Sequence, residues 1–127
     1  MATDARPSRV LLVEDEFLLN HMLADALSER GFEVHAVANA KDALDHLTCG
    51  SPCDVLVTDI NLAGSLDGTA LAQIARQLRP NLPVVYASGS VRKLEQIEAV
   101  PGEVFVAKPY NPEMLCVILS KMTVAAH

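Results

Sequence analysis

A chain of 127 residues, 50% apolar and 20% charged with a mean hydropathy of +0.24, is long enough for one compact domain and too apolar to be disordered. Its 10 basic and 16 acidic residues give a net charge of -6, which repels phosphate backbones and argues against direct nucleic-acid binding. The opening MATDARPSRV has no apolar h-region and no later run approaches a membrane span, so a cytoplasmic protein with no membrane partner is expected.

Short apolar runs alternate five times with longer amphipathic ones, the pattern of a parallel α/β sheet. Residues 1–8 read as a polar tail and 9–127 as a single domain. Val10-Leu11-Leu12-Val13 is continuously apolar, as in a strand buried on both faces (β1), and stops at Glu14. Leu19, Leu23, Ala26 and Leu27 recur at helical spacing (α1) up to Gly31, a suitable residue just past a helix end. Phe32 to Ala38 reads as β2. Asn39 caps a second helix (α2) with Ala43, Leu44 and Leu47 as apolar positions, ended by Gly50 and Pro52.

Val55-Leu56-Val57 forms β3 and closes at Asp59. Asp67 caps a third helix (α3) with Ala70, Leu71, Ile74, Ala75 and Leu78 on one face, ended before Pro80. Val84-Val85-Tyr86-Ala87 forms β4. A fourth helix (α4) is expected around Val91, Leu94 and Ile97, stopping at Pro101-Gly102. Val104 to Ala107 forms β5, and Asn111 with Pro112 at N1 starts the last helix (α5), which runs to about Ala125.

The polar residues that interrupt this pattern fall at one end of the strands: Glu14 and Asp15 after β1, Asp59 at the end of β3, Ser88 after β4 and Lys108 after β5. C-terminal strand ends share one edge of a parallel sheet, where open α/β folds bind ligands beside a topological switch point. A 2-1-3-4-5 strand order would bring Glu14, Asp15 and Asp59 together. Three carboxylates in one crevice repel unless a cation lies between them, and an all-oxygen set suits magnesium, which keeps waters and leaves room for a phosphoryl oxygen. Asp15 and Asp59 are then direct ligands, the Asn61 carbonyl a further one, and Glu14 a ligand through water. With Lys108 and Ser88 facing the metal, Asp59 is a candidate nucleophile that forms an aspartyl phosphate.

Each residue also has a plain reading by itself. The acidic run Glu14-Asp15-Glu16 favours the positive end of α1, Asp59 is a turn residue, Ser88 a helix cap and Lys108 a solvated lysine. Their joint placement on one edge distinguishes the functional reading.

Glu14-Asp15, Asp59, Ser88 and Lys108-Pro109, in that order and at those strand ends, resemble the pattern of response-regulator receiver domains over nearly the whole chain, from Arg9 to about Ala125. The resemblance implies a flavodoxin-like (βα)5 fold and magnesium-dependent transfer of a phosphoryl group from a histidine kinase or histidine phosphotransfer protein. It implies Asp59 as phosphoacceptor, Asp15, Asp59 and the Asn61 backbone carbonyl as metal ligands, and Glu14 as a ligand through water. Ser88 would hydrogen-bond the phosphoryl group, Lys108 would pair with it, and Phe105 would be the switch aromatic. A cis peptide before Pro109 is also implied.

Signalling would run through the face made by α4, β5 and α5, with Ser88 drawn inward and Phe105 rotating. The chain would catalyse its own phosphorylation and dephosphorylation while acting mainly as a switch. Position 14 holds Glu where the family often has Asp, position 88 holds Ser for Thr, and position 105 holds Phe for Tyr. The loop from Asn61 to Gly68 is one residue longer than the common pattern and has Ala63 where Pro is usual.

With no output domain after α5, a stand-alone receiver would signal through noncovalent contact with a downstream protein or a second copy of itself. Met114-Leu115-Cys116-Val117-Ile118-Leu119 is apolar all round α5, more than one buried stripe needs, so the excess would face outward. The alternative is a receiver-like interaction module that works without phosphorylation. A flavin site is disfavoured because no Gly, Ser or Thr follows β1 to hold a phosphate. An aspartate-nucleophile phosphatase is disfavoured because Asn61, not a second acid, lies two residues after Asp59. The histidines, His21, His35, His46 and His127, read as surface residues. The cysteines, Cys49, Cys53 and Cys116, form an odd set that reads as reduced thiols, and Cys49 and Cys53 lack a second pair to make a zinc site.

Overall fold

The protein is described by a computed structural model covering residues 7–62, 64, 66–88, 102–108 and 111–125. The elements run β1 (Arg9–Val13), α1 (Phe17–Glu29), β2 (Glu33–Val37), α2 (Ala40–Thr48), β3 (Val55–Asp59), α3 (Gly68–Leu78), β4 (Val84–Ser88), β5 (Glu103–Ala107) and α5 (Pro112–Ala125). The expected α4, with Val91, Leu94 and Ile97, lies outside the described residues, as do His127 and the Pro109 peptide bond. All four strand pairings are parallel, in the order β2-β1-β3-β4-β5.

β1, β3 and β4 are the interior strands, with β3 at the centre, because their continuous apolar runs supply both faces of the sheet. Alternation sends Leu11, Val13, Leu56, Val84 and Tyr86 to one face, where Ala43, Leu47, Leu71 and Ala75 of α2 and α3 cover them. It sends Val10, Leu12, Val55, Val57 and Val85 to the other, beneath Leu23 and Leu27 of α1 and Leu115 and Leu119 of α5. Each buried Val or Leu among these contributes about 1.5–3 kcal/mol of apolar burial. β2, on the edge, leaves Glu33, His35 and Ala36 exposed.

The helix ends follow the sequence. Gly31 takes a φ of 94°, its N–H donates to the Ser28 carbonyl at 3.0 Å, and the Phe32 N–H reaches the Leu27 carbonyl at 3.1 Å, closing α1 in a Schellman motif. Asn39 accepts from the Asp42 N–H at 2.8 Å, Asp67 from Ala70 at 2.9 Å, and Asn111 from Glu113 at 2.8 Å. Arg79 extends from beyond α3 to the carbonyls of Leu47 and Ser51, tying down the end of α2.

Three expectations need correction. Leu78, assigned to the covered face of α3, is 45% exposed, and Ala72 takes an inner position instead. β4 continues through Ser88, so this residue belongs to the strand and not to the turn after it, whereas β3 ends at Asp59 as expected. His35 and His46 stack with ring centroids 4.1 Å apart and 15° between planes, and His46 is half-buried. The pair escapes sequence spacing because it joins β2 to α2 across the sheet edge. Burial first, and then the facing His35, hold His46 below the usual histidine range. The outer face of α5 fits the reading, since Leu115, Cys116 and Leu119 are buried while Met114 and Val117 are exposed.

The thiols differ sharply in surroundings. Cys49 is exposed, Cys116 is buried, and burial pushes the half-buried Cys53 thiol up to about 11 from its ordinary 9.0. The attacking species is the thiolate, so at pH 8 Cys53 presents about a hundredfold less of it than an unperturbed cysteine. Brief alkylation of the native chain at that pH is expected to modify Cys49 first, with Cys53 and Cys116 reacting only on unfolding. Peptide mass mapping checks this, and equal labelling of Cys49 and Cys53 would refute it. Among the described residues no helix is long and apolar enough to cross a membrane.

Candidate functional site

The site is assembled where β1, β3, β4 and β5 end. Glu14 leaves β1 with its N–H on the Val37 carbonyl at 3.1 Å, continuing the ladder to β2 for one more bond. Asn20, one turn into α1, donates its side-chain amide to the carbonyls of Glu14 at 2.9 Å and Val37 at 3.0 Å, which fixes the chain where it turns from strand to helix. The Glu14 carboxylate folds back under this turn, accepting the Glu16 N–H at 3.0 Å and Lys108 Nζ at 2.9 Å. It is 2% exposed, and burial holds its carboxyl above the usual range despite these two bonds.

Asp59 ends β3, where the Ile60 N–H donates to the Ala87 carbonyl of β4 at 2.9 Å. Its Oδ1 accepts the Asn61 N–H at 3.2 Å and its Oδ2 accepts Lys108 Nζ at 2.9 Å. Lys108 is aimed by β5, its own N–H donating to the Ser88 carbonyl at 2.7 Å. Burial depresses the Lys108 ammonium, but the bonds to Asp59 and Glu14 outweigh it and hold the group above the ordinary lysine range. Lys108 therefore stays charged at any physiological pH.

Carboxylate oxygens of Glu14, Asp15 and Asp59 lie within 4.8 Å of one another, with Asp15 exposed and the other two buried. Lys108 neutralises about one of the three charges, leaving the cluster negative on its solvent side at Asp15. That donor set, all oxygen with one face open to water, fits a hard divalent cation that retains part of its hydration shell. Ser88 is fully buried at the end of β4, opposite Ala107. Phe105 lies half-buried opposite Tyr86. A hollow of about 640 Å³ lies between the first turns of α2, from Asn39 to Asp45, and Gly64 and Leu66 of the loop between β3 and α3; no residue of the acidic cluster lines it.

The structure thus brings Glu14, Asp15, Asp59 and Lys108 together and places Asn61 and Ser88 on the segments that adjoin them. Sequence reasoning missed Asn20 and Gly68. A Cβ on Gly68, the first residue of α3, would lie 2.1 Å from the Asp59 carbonyl oxygen, and its N–H donates to the Ile60 carbonyl at 2.8 Å. A glycine directly after the cap Asp67 was the available signal for this close approach of backbone to backbone. Asn20 left no comparable trace, because a polar residue on the first turn of a surface helix is ordinary.

A parallel 2-1-3-4-5 sheet with an acidic cluster and a lysine at its C-terminal edge defines a flavodoxin-like signalling fold of the receiver class. The response regulator receiver domain model matches residues 10–120, and the chain belongs to that family. A response regulator, NtrX-like, from Rickettsia conorii is 30% identical over 115 residues, which are 88% of this chain and 24% of that protein, so the chain spans about a quarter of that relative's length. The crystal structure of a response regulator receiver protein from Sinorhizobium medicae superposes with a TM-score of 0.87 at 30% identity, covering 98% of this chain and 100% of the other. The receiver domain of the hybrid histidine kinase CckA gives 0.78 at 28% identity, covering 91% and 99%.

Proposed function

We propose that the receiver unit of residues 9–127, with 1–8 as its tail, accepts a phosphoryl group on Asp59 from a histidine kinase or histidine phosphotransfer protein and works in the cytoplasm. The observation that carries this reading is Lys108 Nζ at 2.9 Å from both Asp59 and Glu14, with Asp15 completing the cluster. Magnesium would be held by Asp15, Asp59 and the Asn61 carbonyl, with Glu14 acting through water. When bound it supplies charge neutralisation for the incoming phosphoryl oxygens.

An Asp59 carboxylate oxygen forms the new bond to phosphorus as the bond to the donor imidazole nitrogen breaks, and the electron pair leaves with the imidazole. Lys108 gives up its bond to Asp59 and pairs with a phosphoryl oxygen. The Ser88 hydroxyl donates to another, and Glu14 keeps the ammonium anchored. Phe105 responds to the movement of Ser88 and alters the α4-β5-α5 face, where a downstream protein or a second copy of the chain binds. The outward Met114 and Val117 support a contact surface on α5.

Intact mass after incubation with a small phosphodonor and magnesium tests this. One phosphoryl adduct is expected, dependent on magnesium and missing in Asp59→Asn. No adduct from either a small donor or a phosphohistidine protein would overturn the proposal in favour of a phosphorylation-independent interaction module.

A further inference from the structure

Tyr86 of β4 lies opposite Phe105 of β5 in the parallel register, two residues before Ser88. The two rings stack with centroids 5.0 Å apart and 12° between planes. Tyr86 is 3% exposed, and its hydroxyl donates to Glu103 Oε2 at 2.8 Å. The Glu103 side chain is itself only 8% exposed, and the same oxygen faces Arg76 Nε of α3 at 3.9 Å. A buried carboxylate is costly unless bonded and paired, so the Tyr86 hydroxyl and the Arg76 guanidinium together hold Glu103 in place. Burial first, and then the bond to Glu103, push the Tyr86 phenol up, which keeps the hydroxyl a donor; Asp67 at the start of α3 acts in the same direction. The ring is therefore pinned at its far end to β5 and, through Glu103, to α3.

We propose that Tyr86 is a positioning residue of the switch: its anchored ring holds Phe105 in the resting place, and the Glu103–Arg76 pair sets how firmly. The proposal rests on the reading of Asp59 as phosphoacceptor and of Ser88 and Phe105 as its relay. Movement of Phe105 toward Ser88 slides it off the Tyr86 face, so the stack weighs on the resting side of a two-state equilibrium. An aromatic stack of this kind biases that equilibrium by about two- to tenfold. A phosphoryl mimic that binds the active state is then held more tightly once the stack is gone, because less of its affinity is spent on shifting the population.

The test uses the full chain labelled with 4-fluorophenylalanine, the Phe105 fluorine line being identified by its loss in Phe105→Leu. Beryllofluoride is titrated at saturating magnesium into the wild type, Tyr86→Phe and Tyr86→Leu. Half-saturation is expected to fall about two- to tenfold in Tyr86→Leu and by less in Tyr86→Phe, which keeps the ring and loses its anchor. A merely structural role would leave binding unchanged or weaken it. If neither variant tightens, the proposal is overturned, and Tyr86→Phe decides the matter should Tyr86→Leu fail to fold. A wild type that does not respond to beryllofluoride overturns the phosphoacceptor reading and the latch with it. A wild-type response with no tightening in the variants overturns the latch alone.

Discussion

Lys108→Met is expected to destabilise the metal-free chain by about 2 kcal/mol and to tighten its hold on magnesium about tenfold, two effects of opposite direction from one lost charge. The ammonium bridges Glu14 and Asp59 at 2.9 Å each. Without it two buried carboxylates and Asp15 face one another with no cation between them, which costs about 3–5 kcal/mol for a fully buried pair and less here, where the Lys108 side chain is 18% exposed. The same uncompensated charge is what a divalent cation seeks, so magnesium should restore more stability to the variant than to the wild type. Phosphorylation should slow about a hundredfold or more, because a donor to the developing phosphoryl charge is gone. Urea unfolding with and without magnesium, a magnesium titration and the rate of adduct formation separate these effects. Weaker magnesium binding in the variant would sink the account of Lys108 as the resident cation of the acidic cluster.

Gly68→Ala is expected to destabilise by about 3 kcal/mol, although alanine normally favours a helix by about 1 kcal/mol over glycine. The new Cβ would lie 2.1 Å from the Asp59 carbonyl oxygen and 2.9 Å from both the Asp59 carbonyl carbon and Ile60 Cα. All three contacts are backbone, so no side chain can turn aside. Either α3 retreats, losing the bond from Gly68 N–H to the Ile60 carbonyl, or the end of β3 shifts and carries Asp59 with it. A displacement of about 1 Å at a reacting group costs about a hundredfold in rate. Chemical denaturation and the phosphorylation rate of whatever protein remains folded measure the two consequences. A variant as stable as the wild type would show that the helix and strand ends are not in the contact described.

The fold was legible because its signals are local and agree with one another: buried strands read as unbroken apolar runs, and Asn39, Asp67 and Asn111 mark helix starts by a chemistry that few other residues share. The acidic cluster was legible at one remove. Glu14, Asp15 and Asp59 are far apart in the chain, yet a parallel sheet forces the ends of its strands onto one edge, so the strand order alone predicts their meeting. Contacts between elements with no such rule stayed hidden. The stacked His35 and His46, the Tyr86–Glu103–Arg76 chain and the grip of Arg79 on the end of α2 depend on the register of neighbouring elements and on the rotamers of long side chains. Leu78 was misplaced for a different reason: it is the last residue of α3 and shares the face of Leu71 and Ala75, but it is exposed at the helix end. The interplay of Glu14 with the Glu16 N–H was beyond reach as well, because a carboxylate that folds back on its own turn looks in sequence like one more acidic residue at a helix start.

The two separate cores imply a constraint on how this chain can lengthen over generations. Neighbours along β1 and β3 serve opposite cores, Leu11 and Leu56 on one side and Leu12 and Val57 on the other, so one residue gained or lost inside a strand would exchange the allegiance of every residue beyond it. Insertions are therefore admissible only where strands have already ended. At one end of the sheet those places surround the acidic cluster, and the connection between β3 and α3 is one of them. One part of the molecule free to vary in length is thus the edge that carries the acidic cluster, and a chain built this way can change the surroundings of that cluster without renegotiating its interior.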